Sequence, residues 1–334
     1  MRIGLIDVDG KIPNLALMRL SSWYKACGDR VILNPVNAAQ VDKVHASVLF
    51  SWHRAKAEAL KNIFQDIEFG GTGWDLKKTL PDEIEAQRPD YDLYTVKDLM
   101  PRLGGIMSKE KRLEKATTLV NAGIGFINRG CPNRCKFCKV PDKEGPLRKV
   151  AEIKDLINPR SSTLILLDNN FSASPDFFEK VKEIKERNLT IDITQGIDVR
   201  TMTPEIAKAL SELKHLRSLH YAFDQPAQER MVMNGIDILS QYVAKWRHLC
   251  FVLVGFNSSF DEDMHRYRKL TEAGVDPFIM VYERQNDVRL RHFARWINAR
   301  IYKACKDFED YDRWARDKEA YFAQSAQEGL FAAA

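Results

Sequence analysis

Cys131, Cys135 and Cys138 fall within eight residues, in the run Gly130-Cys131-Pro132-Asn133-Arg134-Cys135-Lys136-Phe137-Cys138, and make up half of the six cysteines in the chain. Thiolates spaced C-x3-C-x2-C converge on one metal centre. A closed structural zinc site takes four protein ligands. No Cys or His follows Cys138 before His215, and none precedes Cys131 nearer than His53. Three thiolates suit an iron–sulfur cube with one iron left open to a small molecule. The alternative is a non-catalytic structural module in which the same cysteines hold zinc.

The motif, with Phe137 just before its last cysteine, resembles the signature of the radical SAM superfamily. The resemblance implies a [4Fe-4S] cluster on Cys131, Cys135 and Cys138, with S-adenosylmethionine (SAM) chelated to the open iron. Reductive cleavage of SAM to a 5′-deoxyadenosyl radical, which abstracts hydrogen from an unidentified substrate, is the implied activity. An electron donor such as a flavodoxin or ferredoxin is the implied partner. Radical methyltransferases and methylthiotransferases share this domain order and are alternatives.

Composition sets broad bounds. With 45% apolar and 29% charged residues, the 334-residue chain has an ordinary globular balance and the length for two domains. No apolar run is long enough to span a bilayer, and the N-terminus enters a strand-like run without a signal-peptide pattern. Cysteines without a framework pattern point to a reducing, cytoplasmic setting, in which Cys27, Cys250 and Cys305 are expected as small buried residues. The net charge of +5 permits a nucleic-acid partner without arguing for one.

The elements that must position the cysteines alternate between strand and helix. Strands are expected at 3–8, 31–33, 44–50, 67–69 and 93–96, and helices at 15–27, capped by Asn14, and 53–64. That pattern gives a Rossmann-like parallel sheet domain over 1–97. The charged stretch 98–122, with Pro101 and Gly104-Gly105, is read as a linker. From 123 to 305 six β/α units follow, consistent with the partial (β/α)6 TIM-type barrel of the resembled family. The last of their helices is expected at 288–305, and the tail 306–334 is expected to be frayed.

In β/α barrels the chemistry lies at the C-terminal ends of the strands. Asp168, Asn169 and Asn170 stand behind the apolar run Leu164–Leu167. The resembled family usually has G-G-E there, contacting the SAM amino group; Asp168 is the substitute acceptor, and a helix-capping role is the alternative. Gln195 and Arg200 follow the third strand, with Arg200 a partner for the SAM carboxylate or for Asp198. Gly255 follows the fifth strand, and it and Phe137 correspond to positions beside adenine. Asp224 and Tyr282-Glu283-Arg284 end the fourth and sixth strands without a defined role. The basic residues Arg129, Arg134, Lys136, Lys139 and Lys143 surround the cysteines.

The N-terminal stretch resembles cobalamin-binding domains, whose pattern is D-x-H-x-x-G, then S-x-L, then G-G. Ser47-Val48-Leu49 and Gly70-Gly71 match the later parts, but Lys11 and Asn14 stand where the His and Gly belong. His45 and His53 lie in or after the third strand. Cobalamin is therefore not expected.

Overall fold

The computed structural model describes residues 1–105, 107–284 and 287–332; the side chains of Arg284 and of 324–332 lie outside the description. The protein is a mixed α/β chain built on parallel sheets. It divides into two compact units, Met1–Asn169 with Lys182–Thr194, and Asn170–Val181 with Gln195–Ala334.

In the first unit β1 (Arg2–Asp7), β2 (Arg30–Leu33), β3 (Lys43–Ser47) and β4 (Ile67–Gly70) form a parallel sheet in the order β2-β1-β3-β4. The order reverses between β1 and β3, the switch point at which such sheets open a crevice. Helix Leu15–Ala26 begins where expected, because the Asn14 side chain accepts the Leu17 N–H at 3.2 Å. The helix expected at 53–64 is instead three short turns, Ser51–His53, Arg54–Glu58 and Ala59–Asn62. No strand forms at 93–96. Leu93 and Tyr94 are buried, but the Thr95 N–H donates to the Asp98 carboxylate at 2.8 Å and starts helix Val96–Leu99.

The stretch 98–122 holds helix Lys109–Asn121, started by Ser108, whose hydroxyl accepts the Lys111 N–H. Its Ala116, Leu119 and Val120 are buried in one core with Ile3 and Leu5 of β1, Leu17 of the first helix, Ile124 and Ile165. The N-terminal sheet and the first barrel-type strands therefore share a hydrophobic core. β5 (Gly123–Gly125), β8 (Thr163–Leu166) and β9 (Thr190–Ile193) pair in parallel. Between β5 and β8 the chain leaves the sheet. β6 (Asn128–Arg129) and β7 (Arg148–Lys149) close that excursion as a two-residue antiparallel ladder.

In the second unit, helix Pro204–Ser211 and the short strand β10 (Lys214–His215) precede three parallel strands, β11 (Leu219–Ala222), β12 (His248–Val254) and β13 (Asp276–Val281). Helices Glu229–Ser240, Phe260–Glu272 and Val288–Asn298 follow them in turn. The last helix is shorter than the expected 288–305. Arg300 adopts a left-handed φ of 59°, and Asn298 turns its amide onto the backbone of Ile279, at 2.8 and 2.9 Å, which ends the helix against β13.

The expectation of a frayed tail is overturned. Phe308, Tyr311 and Trp314 are buried, and helix Asp312–Ala332 follows; Ala333 and Ala334 lie outside the described residues. The Trp314 ring stacks on Phe308 at 5.4 Å, and Arg289 lies 3.7 Å above the Phe260 ring and 5.5 Å from that of Trp314. Aromatic burial overrides the charged composition that suggested fraying. Trp314→Ala is expected to cost about 3–5 kcal/mol, measured by denaturant unfolding. A loss under about 1 kcal/mol would return the tail to the status of a loose end.

Candidate functional site

The cysteine loop occupies the excursion between β6 and β7. Gly130 opens it at φ 83°, and a Cβ there would meet the Pro146 carbonyl oxygen at 2.3 Å, so the two ends of the loop approach at a point that only glycine allows. Cys131, Cys135 and Cys138 are all half-buried on this loop. The Cys138 N–H donates to the Cys135 carbonyl at 3.0 Å, and the Val140 N–H is directed at Cys138 Sγ at 3.4 Å. Among the described residues, no three His, Cys, Asp or Glu side chains already converge as a metal cage. The donor set nonetheless fits an iron–sulfur group: three thiols on one turn, with a backbone N–H already aimed at one sulfur. Arg134, Lys136 and Lys139 are exposed on the same loop, and Phe137 is half-buried among them.

The loop's stem is held from β8. Asp168 is completely buried; one carboxylate oxygen accepts the Ile127 N–H at 2.7 Å, and the other accepts the Asn128 N–H at 3.0 Å and the Asn128 side-chain amide at 3.4 Å. Asn169 continues the clamp, its side-chain oxygen accepting the Gly130 N–H at 3.1 Å. No single strand runs through 125–129: the carboxylate takes the amide hydrogens that a sheet neighbour would otherwise have received. Asn170 sits at the cap position of the turn Phe171–Ala173 without a side-chain capping bond.

After the last cysteine, helix Val140–Glu144 brings Glu144 back to Arg129, whose Nη1 lies 2.9 and 3.0 Å from the two carboxylate oxygens. Lys143 donates to Thr72 Oγ1, and burial pushes its ammonium pKa below the ordinary value.

In the N-terminal sheet, the crevice at the ends of β1 and β3 is filled by the chain itself. Tyr94 donates to Asp7 at 2.9 Å, and Arg102 pairs with Asp7 at 2.9 Å. Burial raises the Tyr94 phenol pKa well above its ordinary value, which keeps it a donor. Asn14 donates to Ser47 Oγ at 2.9 Å. Gly71, at φ 95°, is required because a Cβ would meet the Val48 carbonyl oxygen at 2.3 Å; its own neighbouring strand explains the glycine. Position 11 carries no imidazole, as the sequence says, but one reaches the crevice from the other side. His53 Nδ1 lies 3.0 Å from the carboxylate of Asp9, which also accepts the Leu49 and Phe50 N–H groups.

The strand ends of the second unit carry a separate polar set. Gln195 is exposed. Arg200 pairs with Asp198 through two bonds, Nε at 2.8 Å and Nη2 at 2.7 Å, so the ion pair read as its alternative partner forms. Gly255, at φ 76°, donates its N–H to Asp263 at 3.3 Å. Tyr282 packs on Phe256 at 4.8 Å, and Glu283 is held at φ 47°.

Sequence reasoning missed the organiser of this edge. Arg266, fully buried, donates to the carbonyls of Phe223 at 2.7 Å and Leu253 at 2.8 Å and pairs with Asp263 at 2.5 Å. The Asp263/Arg266 spacing within one helix was its only visible signal.

Asp224 stands beside this group. Its Oδ1 is inaccessible and has no hydrogen-bond partner among the described residues. Burial outweighs the opposing charges of Arg266 and Arg200 and raises its pKa to about 6. A carboxyl that binds its proton more tightly when folded stabilises the fold below its unfolded pKa, and that contribution is lost as pH rises through about 6. Asp224→Asn is therefore expected to be more stable than wild type at pH 8, by roughly 1–3 kcal/mol, and to lose the advantage below about pH 4. Thermal unfolding across pH reads this out, and a pH-independent difference would refute it.

With this geometry in place, comparison with known proteins assigns the family. The profile of the Radical SAM superfamily matches residues 126–297, just over half of the chain. A tRNA-2-methylthio-N(6)-dimethylallyladenosine synthase of Aquifex aeolicus is 22% identical over 304 residues, covering 77% of this chain and 67% of its own length. The ribosomal protein uS12 methylthiotransferase RimO of Nitrosomonas europaea is 28% identical over 112 residues, 32% of this chain and 23% of that protein. Among solved structures, Streptococcus suis SuiB bound to S-adenosylmethionine aligns with a TM-score of 0.37 at 10% identity, covering 60% of this chain and 52% of SuiB. The chain belongs to the radical SAM superfamily.

Proposed function

We propose that Cys131, Cys135 and Cys138 hold the [4Fe-4S] cluster of this radical SAM enzyme and that its product radical abstracts hydrogen from a substrate held at the strand ends. The observation that carries the reading is the three-thiol loop, closed at its base by Gly130 and clamped to β8 by Asp168 and Asn169. When bound, the cluster supplies the electron that cleaves SAM. The chain's own residues position and shield. Asp168 orients the loop stem. Phe137 and Gly255 are assigned beside adenine by the family resemblance, and Asn169, Gln195 and Arg200 are assigned as polar contacts to SAM. Arg200 enters that role already oriented by Asp198. The exposed Arg134, Lys136 and Lys139 suit an acidic electron donor such as a flavodoxin or ferredoxin. No described helix is long and apolar enough to cross a membrane.

Methylthiolation is the second reading, favoured by the names of the relatives. It would make a tRNA or a ribosomal protein the substrate class. The two readings separate in the mass of the product, which gains a methylthio group only in the second.

After anaerobic reconstitution, iron and sulfide are expected at the stoichiometry of one [4Fe-4S] cluster per chain, and the reduced protein is expected to release methionine and 5′-deoxyadenosine from SAM. Stoichiometric zinc without sulfide would establish the structural module instead. Arg200→Ala is expected to weaken SAM binding about ten- to a hundredfold, the worth of a charge-assisted bond, with iron content unchanged. Equal affinity in equilibrium dialysis would remove Arg200 from the SAM contacts.

A further inference from the structure

Glu85 lies in the N-terminal part of the chain, yet one of its carboxylate oxygens meets two guanidinium groups. One is Arg19 of the first helix, whose side chain is 6% exposed. The other is Arg129 Nη2, at 2.5 Å, two residues before Cys131. Arg129 also grips Glu144 after the last cysteine and lies 4.1 Å over the Phe126 ring. Lys143 reaches back to Thr72 in the turn after β4. Both ends of the cysteine loop are thus tied to residues of the N-terminal part, Arg129 to Glu85 and Lys143 to Thr72.

We propose that Glu85 is a positioning residue for the iron–sulfur cluster, holding Arg129 and setting both the geometry and the charge beside the cysteine loop. The guanidinium fork is planar and directional, so a second carboxylate on its other side fixes its plane as well as its place. The pair is partly buried, with Arg129 17% and Glu85 33% exposed, so solvent screens it incompletely. A cluster on three thiolates is anionic, and its potential follows the charges around it. Without the Glu85 charge, Arg19 and Arg129 lose the carboxylate they share. The extra positive field favours the reduced cluster, and the loop stem is freed on one side. The N-terminal part of the chain then acts on the chemistry through the loop, with no ligand of its own required.

This inference rests on the three cysteines holding the cluster, and the test separates the two. Full-length holoprotein is prepared as wild type, Glu85→Gln, Glu85→Asp and Asp42→Asn. The last breaks the exposed Arg2–Asp42 pair, also in the N-terminal part of the chain, and serves as control. Iron and sulfide are counted first; the midpoint potential then comes from an EPR-monitored redox titration, and iron loss from the rate of transfer to a ferrous chelator. Glu85→Gln is expected to shift the potential positive and to lose iron several-fold faster. Glu85→Asp, which keeps the charge, is expected to return the potential to that of wild type, and Asp42→Asn to match wild type in both. A potential unmoved in Glu85→Gln, or moved equally by Gln and Asp, overturns the positioning role. Wild type that takes up no iron and sulfide overturns the cluster assignment itself. Should Glu85→Gln fail to fold, the Asp variant decides: a wild-type potential with faster iron loss supports the role, and unchanged values in both overturn it.

Discussion

The structure turns on a carboxylate bonded to its own backbone. Asp168 has no contact with water, and its oxygens are directed at the amide hydrogens of Ile127 and Asn128. A buried carboxylate without such partners would be strongly unfavourable. With them, each charge-assisted bond contributes roughly 1.5–3 kcal/mol. The same bonds end β5 at Gly125 and divert the chain out of the sheet. The buried carboxylate is thus satisfied by the same backbone turn that takes the chain out of the sheet into the cysteine loop. Replacing Asp168 by an apolar residue of similar size would leave those amides to seek another acceptor.

The second unit solves the same problem with the opposite charge. Arg266 is buried and donates to the carbonyl oxygens of Phe223, just past β11, and Leu253, near the end of β12. Asp263 neutralises it. Asp224, just after β11, is left with a buried oxygen that has no partner among the described residues and a pKa raised to about 6. Groups that are unfavourable for folding cluster where ligands bind, because a bound partner can satisfy what the fold does not.

Much of this was legible in the sequence, and the limits follow from physics. The cysteine spacing, the Asn14 cap, the parallel N-terminal sheet and the six β/α units are local patterns, set by side-chain period and capping chemistry. The strand expected at 93–96 failed because apolar residues before a capped helix look like a short strand. The tail failed because Trp314 and Phe308 are buried by contacts with Phe260 and Arg289, distant in sequence, while composition speaks only of the average residue. The Glu85–Arg129–Glu144 chain could not be seen at all: the residues are far apart in sequence and carry no motif. His53 beside Asp9 is a case of the same kind, since only the pairing of β1 with β3 brings the two together.

Asp168 bears on how the site differs from the family pattern. The family's usual glutamate after the second strand has one methylene more and serves the SAM amino group. An aspartate at the same place is shorter, and here it is engaged with its own chain's backbone. Asn169 is engaged likewise with Gly130. The two residues that the resemblance would put against SAM thus hold the loop that carries the cysteines. A direct contact of either residue with SAM would have to share oxygens that the stem already uses. A site arranged in this way ties cofactor geometry to backbone geometry. A shift in the stem would move the cysteines and any SAM contact of these two residues together.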